Sequence, residues 1–355
     1  MNDSVYIVGA HSRGKTLGRC LRELYPDIKI AAYLYDNDEP NDDAVDGVPV
    51  VCFDGGAALE KTAAVYLATK TMYHKRLTEK LRGMGMEHIV PVTAAVDNFF
   101  RNAYVRKQYA RERRPFVRIA DLSVRRPDAA VYVVKSVYDK PLQTEYVCPG
   151  YEKVIQAGAA LTPERLSPDG LTDCAGENIS ARNRQYSELT ALYWIWKHAR
   201  EEIVGLAHYR RHFILPDHWQ DIMQTNDIDV ILPVPTLVYP GVAENYRERH
   251  DAADWEYLMR YLRENCPGDY AQAEAVFAGN LYFPCNMFIM KRRVLNEFCA
   301  WLFPILEAVE AHSGRKEDGY QNRYPGFLSE RLLTFYFEKK RDRYKIIYAD
   351  KNFLP

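Results

Sequence analysis

Apolar and polar positions alternate in short blocks along the first part of the chain. Strands are expected at 4–9, 29–35, 48–52, 63–68 and 88–92, and helices at 14–25, 55–61 and 74–84. Strands that alternate with helices predict a parallel sheet covered by helices. From 94 to 118 the pattern turns helical and basic (FFRNAYVRKQYARERRPFVR), and Pro115 and Pro127 punctuate a connector. A second alternation begins with a strand at Ala130–Val134. It continues with a helix over Tyr186–Ala199 and strands at Ile203–Ala207, Asp229–Leu232 and Pro284–Met290. Val294, Phe298, Trp301, Leu302 and Ile305 mark an amphipathic helix that Pro304 is expected to kink, and Phe327–Glu338 reads as a last helix. The expected organisation is α/β throughout. A Rossmann-like parallel-sheet domain (1–93) and a basic helical linker (94–128) precede a second α/β domain (129–355).

Length supports two domains, since 355 residues are many for one core. A net charge of −1 argues against nucleic acid as the main partner. No apolar run approaches the roughly 18 residues of a membrane span, and the first residues are not a signal peptide. The seven cysteines are scattered without a C-x-x-C pair, as in reduced, buried thiols. The chain is therefore expected in the cytoplasm. Its 26 tyrosines offer stacking surfaces for bases or sugars as well as ordinary packing. The basic stretch 101–118 has two readings: a solvated helix, or a peripheral contact with an anionic membrane face.

Three segments carry candidate chemistry. Gly9 to Thr16 fit G-x-x-x-x-G-K-[ST], the loop that cradles phosphate in ATP-dependent kinases and ATPases. The second strand of such an enzyme would end in a magnesium-binding acid. Asp36 instead follows by the interval at which a dinucleotide-type fold places its ribose-binding acid. Gly9, Ser12, Gly14, Lys15 and Asp36 are thus a candidate nucleotide site in a βα turn. In EEIVGLAHYRRHF a buried strand runs into His208, Tyr209, Arg210 and Arg211, with His208 and Arg210 expected on one face and Tyr209 and Arg211 on the other. Arginine forks suit a diphosphate; the alternative is a solvated strand end. Asp173, Asn178, Ser180 and Asn183 crowd the loop before an apolar helix, where they either cap it or hold a base, ribose or sugar.

The ordered segments GENIS, YSELTALYWIWKH, GLAHYRRHF, DVILP, ENYRERHDAADW, CNMFIMKRRVLNEFCAWLFPIL and GFLSERLLTFYF resemble a bacterial family long catalogued as a domain of unknown function. That domain occurs in capsule, exopolysaccharide and O-antigen glycosyltransferases, and the resemblance covers about 130–353. It implies a GT-A-like fold and a hexosyltransferase-type reaction. A sugar would pass from a nucleotide sugar, expected to be UDP-linked, to a lipid-linked or oligosaccharide acceptor of surface-polysaccharide synthesis. Many such enzymes hold a metal with Asp-x-Asp where this chain has His208 to Arg211. Those cations are therefore expected to neutralise the diphosphate without a metal, and Asp36-Asn37-Asp38 and Asp227-Ile228-Asp229 are read as decoys. Glu330, Asp254 and His250 are candidate bases for the acceptor hydroxyl. Asp254 and His250 are spaced to share a helix face, and Asn286 is a candidate sugar contact.

VYIVGAHSRGK, LYDND and DGVPVV resemble the Rossmann-like N-terminal domain of PglD-type sugar acetyltransferases, without the hexapeptide repeat that follows there. That likeness implies a vestigial or regulatory nucleotide site, or a docking module. Two other functions remain open: a non-catalytic nucleotide-sugar-binding assembly protein, and a P-loop kinase.

Overall fold

A computed structural model describes residues 4–36, 40–55, 58–122 and 127–355. The chain forms two compact units, 1–115 with 237–239, and the rest. Both are mixed α/β.

The first unit contains β1 (Ser4–Val8), α1 (Ser12–Leu24), β2 (Lys29–Tyr35), β3 (Ala44–Val45), β4 (Val48–Cys52), β5 (Ala64–Leu67), α2 (His74–Gly83), β6 (His88–Pro91) and α3 (Ala94–Arg111). Its sheet has the order β3-β4-β2-β1-β5-β6, and only the short β3 is antiparallel to its neighbour. Tyr6, Val8, Leu34, Val65, Leu67, Leu77 and Leu81 form one core beneath it, as alternate strand positions and one helix face must when a sheet is covered. The helix expected at 55–61 is absent over Ala58–Glu60, and a 3-10 turn covers Phe53–Gly55. Gly56 and Ala57 lie outside the described residues, and adjacent glycines at 55 and 56 disfavour a helix there. The basic helix α3 belongs to this unit rather than to a linker. Arg111 pairs with Glu23 of α1 at 2.6 Å, Lys107 pairs with the same carboxylate, and Arg101 pairs with Asp97.

The second unit begins with β7 (Ala129–Lys135), β8 (Glu152–Gln156), β9 (Leu171–Thr172), α4 (Asn183–Tyr186), α5 (Leu189–His198) and β10 (Ile203–His208). Next come β11 (Phe213–Ile214), α6 (Trp219–Thr225), β12 (Val230–Pro233), β13 (Thr236–Leu237), α7 (Val242–Arg249), α8 (Ala252–Asn265) and α9 (Pro267–Ala278). It closes with β14 (Leu281–Tyr282), β15 (Phe288–Lys291), α10 (Arg292–Ser313), α11 (Tyr324–Lys339) and β16 (Ile346–Lys351). Eight strands pair in the order β11-β16-β12-β15-β10-β7-β8-β9. From β9 to β10 all are parallel, β15 runs against them, and β12 and β16 run with them again. Val131, Val133, Ile203, Ala207, Ile231, Ile289 and Trp219 pack one face.

Two expected elements are broken. Ser187 takes φ 47°, ending α4 before α5 begins, so Tyr186–Ala199 is not one helix. Cys285 and Asn286 take φ 69° and 50°, so the strand expected from Pro284 starts only at Phe288. Helix α10 continues through Pro304 as one element. No helix among the described residues is long and apolar enough to cross a membrane.

Candidate active site

In the second unit the chain leaves β7 toward β8 on one side and returns to β10 on the other. Neighbouring crossovers diverge there, which makes the carboxyl ends of β7 and β10 the expected ligand position of an open α/β sheet. β10 ends there with His208. The next residues do not continue the strand alternation. The amide of Arg211 donates to His208 O at 2.9 Å and that of His208 to Arg211 O at 3.0 Å, so Tyr209 and Arg210 form the tip of a tight turn. The turn is tied down from outside. Tyr209 N–H donates to Val134 O (3.0 Å) and Leu354 N–H to Arg210 O (2.8 Å). Buried His212 places one ring nitrogen 3.0 Å from the Glu152 carboxylate and the other 3.2 Å from Tyr209 O.

The four turn side chains differ in their partners. His208 Nε2 lies 2.5 Å from Cys285 O, and burial holds its pKa below the ordinary histidine value. Arg210 donates to Pro141 O at 3.3 Å and lies over the Tyr209 ring. Arg211 sits 5.2 Å over the Phe353 ring and makes no side-chain hydrogen bond or ion pair among the described residues. Asp139, in the loop after β7, accepts from Ser136 N–H at 2.7 Å, and burial raises its pKa.

Two carboxylates meet this turn through the left-handed pair Cys285–Asn286. Glu330 of α11 accepts from Cys285 N–H at 2.6 Å with one oxygen and from Arg331 at 2.7 Å with the other. Burial raises its pKa. Arg331 and the Cys285 amide oppose that rise, and the charge of Glu188 adds to it. Asn286, 2% exposed, donates its Nδ2 to Glu188 Oε1 at 2.7 Å and to Gly326 O at 3.1 Å. Its Oδ1 is buried without a partner. Glu188 stands between α4 and α5 and was not singled out from sequence. The break that aims it, a positive φ at Ser187, carries no residue signal, since a serine there reads as ordinary helix.

The other expected residues serve as scaffold. Asp173 is fully buried; its carboxylate accepts from Gly158 N–H (2.8 Å), Ala159 N–H (3.1 Å), Ser180 Oγ (2.5 Å) and Thr190 Oγ1 (2.6 Å). Asn178 bridges Cys174 O, Gly176 O and Ser180 N–H. Asn183 donates to Ser187 O and Thr190 Oγ1 and so holds the break before Glu188. His250 and Asp254 do not share a helix face, because α7 ends at Arg249 and α8 begins at Ala252. His250 stacks 4.0 Å from the Phe327 ring; burial, then Arg331 and Arg249, push its pKa down to about 3. An enclosed imidazole with so little affinity for a proton is a poor general base. Buried Asp254 pairs with Lys316 at 2.6 Å.

Asp229 is held by Arg293 (2.5 Å) and Lys291 (3.0 Å), and Asp227 by Lys291 (2.5 Å). They precede β12, which runs parallel to β10, so they lie at the end of the sheet away from His208. Asn37 and Asp38 of the other Asp-x-Asp lie outside the described residues.

In the first unit, α1 starts at Ser12, so only Gly9, Ala10 and His11 link it to β1. Lys15 N–H already donates to His11 O at 2.9 Å within the helix. A P-loop needs its amides free around a phosphate before the helix starts, and this turn is too short for that. The glycines instead allow close packing: a Cβ on Gly14 would lie 1.7 Å from Gly9 O. Lys15 pairs with Asp42 at 3.0 Å, and Asp36 with Arg76 (2.5 Å) and Lys80 (3.1 Å). Burial would raise the pKa of Asp36, but those two cations hold it below the usual carboxylate range.

This chain belongs to the family of DUF4422, a domain of unknown function, whose model matches residues 138–341. No curated protein matches it. Among solved structures, that of the bifunctional glycosyltransferase WbbM without ligand is similar, with a TM-score of 0.54 and 22% identity over 64% of this chain. At that identity the likeness shows a shared fold. The match spans 45% of the WbbM chain, so less than half of that protein is represented here.

Proposed function

We propose that the second unit is a glycosyltransferase that takes a nucleotide sugar, UDP-linked above all, at the carboxyl ends of β7 and β10. The single observation that carries this reading is Arg211, whose guanidinium makes no hydrogen bond or ion pair among the described residues and stands near enough to the Glu330 carboxylate at a strand switch point to feel its charge. Sugar transfer makes a nucleoside diphosphate leave as an anion. A positioned guanidinium stabilises that charge as it develops. Arg210 and His208 line the same turn and complete a metal-independent diphosphate site. Tyr138, 71% exposed in the loop after β7, offers a ring face for the base or a sugar. The fold shared with WbbM, a bifunctional glycosyltransferase, supports sugar transfer, and the acceptor in this reading is a lipid-linked or oligosaccharide precursor of surface polysaccharide. The first unit is a Rossmann-like docking module of the PglD type in this reading.

A thermal-shift series with UDP-, GDP-, dTDP- and CMP-sugars and ATP, each with EDTA, magnesium or manganese, tests the proposal. A ligand that binds only the folded state raises its melting temperature. One sugar nucleotide is expected to do so equally with and without metal. Binding without turnover toward any acceptor would favour an assembly protein, and a shift with magnesium-ATP alone would overturn the assignment.

A further inference from the structure

We infer that Glu188 is the catalytic base of this site and that Glu330 is a positioning residue. The assignment rests on the transferase reading and deepens it. It follows from which carboxylate oxygens remain available. Both oxygens of Glu330 are taken, one by the Cys285 amide and one by Arg331. Glu188 gives only Oε1 to Asn286; its Oε2 has no hydrogen bond among the described residues and is not fully buried. A base needs a free oxygen within reach of the proton it removes.

Three separate strained or dedicated features serve Glu188. Ser187, immediately before it, takes φ 47° and ψ −126°, a conformation costly for any side-chain-bearing residue. That break is fixed on both sides, by Asn183 donating to Ser187 O at 2.8 Å and Arg323 donating to Ser187 Oγ at 2.8 Å. Asn286 takes φ 50° and turns its buried amide onto Glu188 Oε1, while Glu330 grips the preceding amide and holds the same turn in place. Strain at the end of α4 and before β15, braced by Arg323 and by Glu330 of α11, around one carboxylate is the arrangement expected of a group that must be aimed. A solvated surface acid needs none of it.

In the reaction, Glu188 Oε2 takes the proton of the acceptor hydroxyl. The oxygen's electron pair forms the new bond to the anomeric carbon as the bond from that carbon to the diphosphate oxygen breaks. The nucleoside diphosphate leaves with that electron pair, beside Arg211.

The test uses the full chain and whichever sugar nucleotide the thermal-shift series identifies, with nucleoside diphosphate release and donor affinity measured together. Glu188→Gln keeps an oxygen for Asn286 and removes the base. Release is expected to fall by about 100-fold or more, with donor Kd within about threefold of wild type. Glu188→Ala is expected to lose release as well and to regain part of it on addition of formate or azide, while donor binding and melting temperature show that it is folded. If Glu188→Gln turns over within about threefold of wild type, Glu188 is not the base. If the wild-type protein turns over none of the sugar nucleotides, the transferase reading and this assignment fall together.

Discussion

Each unit of this protein contains a parallel sheet with a switch point, between β1 and β5 in the first and between β7 and β10 in the second. The two switch points share topology and differ in chemistry. At the first, Asp36 is neutralised by Arg76 and Lys80, Lys15 by Asp42, and the Arg13 guanidinium donates to Thr69 O at 2.9 Å. At the second, among the described residues, Arg211 has no hydrogen-bonded or ion-paired partner and Glu188 keeps an unused oxygen. The fold supplies the same switch point twice, and unsatisfied groups held there by other elements make the second the candidate site.

The comparison can be broken in several ways, beginning with the largest effect. Asp173→Ala removes the acceptor for four donors in the second unit and should cost about 3–5 kcal/mol of stability by urea titration. A change below about 1 kcal/mol would mean that Asp173 is not scaffold. Arg211→Ala should weaken donor binding by about tenfold or more in calorimetry, as expected for a lost charge-assisted contact of about 1.5–3 kcal/mol. Unchanged affinity would remove the distinction between the two switch points.

The units should also respond differently to acid. His250 titrates near 6.5 when unfolded, but its folded pKa lies at about 3. As pH falls below about 6.5 the unfolded chain takes a proton that the folded one refuses, so stability of the second unit declines progressively toward pH 3. Urea midpoints at pH 7 and 5 should show that slope, and His250→Phe, which keeps the stack on Phe327, should flatten it. Asp36 acts in the same direction but in a lower pH window. Its pairing stabilises the first unit above the unfolded-state pKa of about 3.9 and is lost only as pH falls through its still lower folded value. The smallest expected effect is Lys15→Ala, which removes a surface pair with Asp42. It should change stability by less than about 1 kcal/mol and leave donor affinity untouched. Lost donor binding in that variant would reopen a nucleotide site at Gly9–Thr16.

Much of the scaffold was legible because buried strands announce themselves. The runs at 5–8, 29–35, 130–134 and 203–207 are apolar on both faces, as parallel strands between helices must be, and β1, β2, β7 and β10 lie there. β8 (Glu152–Gln156) escaped notice because its first three residues are only partly covered or exposed and its pattern is weak. The four-residue cluster HYRR was legible as chemistry, since two arginines after a buried strand are conspicuous. Its turn geometry was not, because a strand period says nothing about where the strand stops.

Sequence alone therefore determined the two α/β units, the strand that delivers His208 and the concentration of charge behind it, since periodicity and composition are local properties. Which charges remain free is not local. Asp173 and Glu188 are both acids near the start of an apolar helix. Only the tertiary structure surrounds the first with four donors from the loops and helix on either side of it and leaves the second an open oxygen beside Asn286, 98 residues away in the chain.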